Sequence, residues 1–203
     1  MMSALFFLIF EFRAGFYRFL HYLWLEIMKH DFDEITERLL EKPYWVIDFL
    51  PMQVPQESRS QFFAVEQYFL TGERHERLRR QFADVLLGLN CYHTLTVNRG
   101  DGIWVKNPEP ATLIAWLDEA LQHGHLCALV DDSEWDTGTV LLSHFGSKWD
   151  KRTVPVSHAL LTASGGDTHL TLYDPSPSLL QLTRQLANVA GLHLWQPHEE
   201  TIN

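Results

Sequence analysis

The chain has 203 residues, 46% of them hydrophobic and 21% charged, enough apolar material for the core of one domain, with or without an appendage. Its formal charge of −10 excludes a general nucleic-acid-binding surface, which needs concentrated Lys and Arg. Two cysteines, Cys91 and Cys127, are too few for a disulfide framework and make a reducing cytoplasm the expected location.

Residues 1–27 hold six of the thirteen Phe and stand apart from the rest. Glu11, Arg13, Arg18 and Glu26 interrupt the stretch and leave apolar runs, such as Leu5–Phe10, that are too short to span a bilayer. It also lacks the positive start and small-residue cleavage site of a secretory signal. Three readings are open: an interfacial helix with Phe16, Phe19, Leu20, Leu23, Trp24 and Ile27 on its apolar face, a helix packed on the domain, or translation that begins at Met28. The last draws on the polar start Met28-Lys29-His30-Asp31, which leads into a helix with Asp31 or Asp33 as cap. The main domain is therefore placed at 28–203, with a helical layer carrying one strand over 28–92 and two β-α-β units over 93–203.

A helix over Asp33–Glu41 stops at Pro43, and Tyr44–Leu50 reads as a buried strand closed by Pro51. Ser58 and Ser60 are candidate caps of a helix with Phe62, Val65 and Phe69 on one face. Gly72 breaks it, and a second helix carries Leu78, Phe82, Val85, Leu86 and Leu89 to about Asn90. The runs Thr94–Val97 and Ile103–Val105 flank Asn98-Arg99-Gly100-Asp101-Gly102 as a hairpin. Arg99-Gly100-Asp101 is what a tight turn demands, so an adhesion role is not needed to explain it.

Two segments share one punctuation. Asn107-Pro108-Glu109-Pro110 opens a helix with Leu113, Leu117 and Leu121 on one face, closed by Gly124 and followed by strand Leu126–Val130. Asp174-Pro175-Ser176-Pro177 opens another with Leu179, Leu182 and Leu186, closed by Gly191 and followed by Leu192–Trp195. Asn107 and Asp174 are the expected caps, proline presets the helical φ, and glycine takes the left-handed residue past each end. Thr139–Ser143 and Val156–Thr162 are strands between the units. The fold class is α+β: a mainly antiparallel sheet with helices on one face and two β-α-β units, resembling a split β-α-β plait.

Phosphate loops, paired-histidine metalloprotease motifs and a nucleophile elbow are all missing. Cys91-x-His93 and His125-x-Cys127 together supply two thiolates and two imidazoles, a set that suits zinc, although free Cys in apolar runs is equally a small buried hydrophobe. Asp167 and His169, two apart at a strand start, suit a general-base pair or the flank of a Gly-Gly-Asp turn. Asp131, Asp132, Glu134 and Asp136 read as a solvated acidic loop or a divalent-cation loop. Arg74, Arg77, Arg79 and Arg80 read as a solvated helix face. Asp48 lies inside an apolar strand, where alternation turns it to solvent or burial ties it to a partner.

The leading functional expectation is a non-catalytic binding or accessory protein acting through contacts with another protein, with Trp104, Trp135 or Trp149 as anchors. The alternatives are a small metal- or acid/base-dependent enzyme using Asp48, His93, His125, Cys127 or His169, and a peripheral membrane protein anchored by residues 1–27. The enzyme reading requires several of its residues to meet in one pocket.

Overall fold

A computed structural model describes residues 32–132 and 158–197. The readings made for residues 1–27, the start at Met28, the strand Thr139–Ser143, and Glu134, Trp135, Asp136 and Trp149 lie outside them. Two units divide the chain, 1–38 and 39–203. Of the first, residues 32–38 are described, and they are helical. That helix, α1 (residues 32–40), is already under way at residue 32, so Asp33 sits inside it rather than capping it.

The second unit runs β1 (Tyr44–Asp48), a short 3-10 turn (Gln56–Ser58), α2 (Arg59–Phe69), α3 (Gly72–Tyr92), β2 (Leu95–Asn98), β3 (Val105–Lys106), α4 (Pro110–His123), β4 (His125–Asp131), β5 (His158–Ser164), β6 (His169–Tyr173), α5 (Pro177–Ala190) and β7 (His193–Trp195). Ser58 occupies the N-cap of α2 but makes no side-chain cap bond. Val65 is exposed, so the inward face of α2 is Phe62, Glu66 and Phe69, one residue off the expected stripe. In each proline-bracketed signal the second proline, Pro110 or Pro177, takes the first helical position, where a missing N–H leaves nothing unpaired.

Asn107 and Asp174 do not cap. The caps are Glu109, without a side-chain bond, and Ser176, whose Oγ accepts from the Leu179 amide. Instead Asn107 and Asp174 adopt φ of 46° and 49°, a left-handed conformation that short polar side chains tolerate. Asn107 N donates to Leu95 O at 2.7 Å, and Asp174 N donates to Pro43 O at 3.0 Å. Each therefore ties the end of its strand to the start of a neighbouring one. Gly191 ends α5 at φ 78°, as glycine permits, whereas Gly124 ends α4 in extended backbone.

The strands form one sheet in the order β3-β2-β4-β5-β6-β1-β7, and every neighbouring pair is antiparallel. Because β3 and β4 both run against β2, they are parallel to each other with β2 between them; β6 and β7 flank β1 in the same way. Each β-α-β unit is thus split by a strand that precedes it in the chain. In an interleaved plait the gap is filled by the other unit, so that detail of the expectation is replaced.

One face of the sheet makes the core. Val97, Ala128, Leu161 and Leu172 stand in a row across β2, β4, β5 and β6, and Ile47 continues it beside Leu170. Against this face lie α3, α4 and α5, joined by Leu78, Phe82, Leu86, Leu113, Leu117 and Leu179. The helix α3 packs against both α4 and α5 and so belongs to the same layer, not to an added one. Its approach to α5 is close: a β-carbon on Gly88 would lie 2.6 Å from Leu186 Cδ2. Among the described residues no helix is long and apolar enough to cross a membrane.

Candidate functional site

Alternation along β1 sends Ile47 into the core and Val46 and Asp48 to the opposite face. Asp48 is largely covered there, at 7% exposed. It stands opposite His169 of β6 on one side and His193 of β7 on the other. Directly paired antiparallel residues hold their β-carbons about 5 Å apart, which brings the Asp48 carboxyl and the His169 imidazole within each other's field.

These groups line a cleft of about 380 Å³. Tyr44, Val46 and Asp48 come from β1, and Gly166, Asp167 and Thr168 from the turn before β6. From α2 come Phe62 and Glu66, and Trp195 closes β7. The Trp195 ring is pinned by its Nε1, which donates to Leu50 O at 3.0 Å. Thr168 Oγ1 donates to Glu66 Oε1 at a long 3.5 Å, linking the β6 turn to α2.

Burial holds the Asp48 carboxyl above the ordinary carboxylate range; the Leu50 amide, His169 and the Phe49 amide pull it back, while Glu66 adds to the rise. A raised acid keeps its proton after the unfolded chain has lost it. Stability then falls as pH climbs from the ordinary value of 3.8 through the folded value, and is level above that. Asp48→Asn keeps an acceptor for the Leu50 amide but removes this loss. The variant is expected to be about 1 kcal/mol more stable than the parent near pH 7, and equal to it near pH 3. Urea unfolding at the two pH values checks this, and equal stability at both would contradict the account.

The sequence-derived candidates separate into two groups. Asp48, Asp167 and His169 meet in the cleft; Asp167 is exposed at the turn, where its amide donates to Ser164 O. The expected zinc set does not meet. His93 lies beyond the C-terminus of α3, with Nδ1 donating to Asp131 O at 2.8 Å, at the far end of β4 from His125. The length of β4, about 20 Å, separates the two pairs. Cys91 is exposed rather than buried, Cys127 is half-buried, and His125 Nδ1 shares a 2.7 Å hydrogen bond with Ser164 Oγ. Among the described residues no group of three or more His, Cys, Asp or Glu is placed to hold a metal ion.

Other readings change as well. Asp132 is no solvated loop residue: it is 3% exposed and accepts from Ser176 N and Oγ at 2.6 and 2.7 Å. Of the arginines, Arg79 bridges to Asp118 on α4 at 2.8 Å and Arg74 lies over the Tyr68 ring, while Arg77 and Arg80 are exposed, Arg80 paired with Glu76. In the Arg99-Gly100-Asp101 turn, Arg99 Nε donates to Asp101 Oδ2 at 2.7 Å, so the two charges face each other. Glu66, Trp195, Tyr44 and His193 were not singled out from sequence. The one local cue was Glu66 itself, a carboxylate at helical spacing between Phe62 and Phe69.

No protein-family model, no curated protein and no solved structure matches this chain.

Proposed function

We propose that the cleft is a small-molecule site in which Asp48 and His169 act as an acid–base pair. What supports this is convergence: a buried carboxyl with a raised pKa faces an imidazole in a cavity of about 380 Å³, a size typical of ligand pockets. Asp48 supplies or takes a proton, His169 balances its charge, and Glu66 and Asp167 set the field around the ligand. The test is incubation of the purified protein with a small-molecule extract of its own cells, read by mass spectrometry. Wild type should convert at least one compound that Asp48→Asn and His169→Gln leave intact. Conversion that persists in both variants, or none by wild type, sinks the proposal.

Contact with another protein is a second reading, favoured by Phe63 and Tyr68, which α2 holds 61% and 56% exposed. It predicts a co-purifying partner that Phe63→Ser releases. Two free cysteines, Cys91 and Cys127, support a reducing, cytoplasmic setting for either reading.

A further inference from the structure

We infer that the cleft selects an organic cation, a primary amine or guanidinium on a flat apolar body. This rests on the cleft being a small-molecule site and adds the class of molecule it takes. Three carboxylates line it, Asp48, Glu66 and Asp167, and among the described lining residues there is no Lys or Arg to neutralise them. A phosphate or carboxylate ligand would meet like charge on several sides, with His169, already set against Asp48, as the one basic side chain among the described lining residues. Three aromatic rings share the apolar wall with Val46, Leu50 and Met52: Tyr44 from β1, Phe62 from α2 and Trp195 from β7. Ring faces attract a cation and cover an apolar body, and the Trp195 ring is fixed by its bond to Leu50 O.

The two buried aspartates among the described residues show why Asp48 is the anchor. Asp132 is satisfied from within, with two short bonds from Ser176. Among the described residues the hydrogen-bond donors to Asp48, 7% exposed, are backbone amides, and the Leu50 amide reaches its Oδ1 at a stretched 3.3 Å. A carboxylate offers about four acceptor positions, and leaving them unfilled under burial is costly. His169 stands beside Asp48 but does not fill the cleft. A ligand N–H aimed at Asp48, with its charge shared by Glu66, completes the missing interactions, and its apolar body then lies against Phe62 and Trp195.

Isothermal titration of the full chain with benzylamine, benzyl alcohol and benzoate near neutral pH tests this, with Trp195 indole shifts in NMR placing the bound probe. Benzylamine is expected to bind about tenfold tighter than benzyl alcohol, with benzoate weakest. Glu66→Gln, which keeps an acceptor for Thr168, is expected to weaken benzylamine by about threefold and leave benzyl alcohol unchanged. Benzyl alcohol or benzoate binding in the cleft as tightly as benzylamine overturns the cation selectivity while the small-molecule site stands. Binding of none of the three in the cleft overturns both.

Discussion

Phe82→Ala is expected to lower the unfolding free energy by about 4 kcal/mol. Phe82 is 1% exposed at the middle of α3, the helix that packs against both α4 and α5. Truncating the ring removes apolar burial and leaves a cavity that the helix layer closes only in part, since Gly88 already packs against the Leu186 side chain. Phe82→Leu keeps most of the volume and should lose about 1 kcal/mol. Urea unfolding measures both variants: the midpoint should fall in that order with little change of slope. A loss below about 1 kcal/mol for the alanine variant would mean that α3 is not central to the core.

Asp132→Ala comes next, with an expected loss of about 2–3 kcal/mol. Its two oxygens accept from the amide and hydroxyl of Ser176, and Ser176 Oγ in turn accepts from the Leu179 amide at the first turn of α5. The carboxylate therefore joins the end of β4 to a helix N-terminus, where a negative charge also meets the favourable end of the helix dipole. Removing it leaves a part-buried Ser176 N–H without its acceptor and frees the cap hydroxyl to rotate. Ser176→Ala alone should cost about 1 kcal/mol, the usual size for a lost cap. The double variant should lose less than the sum of the two, since both deletions remove one shared network. Strict additivity in the unfolding free energies would separate the two residues and reject the clamp.

Asp48 and Asp132 also show how far pattern reading reaches. Both were visible as aspartates in or beside strands, and alternation made solvent exposure the simplest reading for Asp48, as charge clustering did for Asp132. Each is buried, because something distant in the chain covers it. Glu66 and Thr168 meet over the Asp48 cleft, and Ser176 receives Asp132. The pairing of Asp48 with His169 is a matter of strand register. Register across a long connection is set by the whole sheet, so spacing along the sequence carries no trace of it.

Among the described residues the sequence by itself determined, to within a few residues at the ends, which stretches are helix and which are strand. Pro110 and Pro177 start helices, Gly191 ends one, and Leu113, Leu117, Leu179 and Leu186 recur at helical spacing. These are local matters, governed by φ, by the hydrogen bonds at helix ends and by side-chain periodicity, so a few adjacent residues suffice to settle them. The tertiary structure alone decided that β1 and β2 split the two β-α-β units, that α3 joins the helix layer, and that Cys91 and His93 stand a strand's length from His125. It alone gathered Asp48, Glu66, Asp167 and His169 around one cleft. Those outcomes follow from non-local pairing and burial, in which segments far apart in the chain choose each other by the total surface they remove from water.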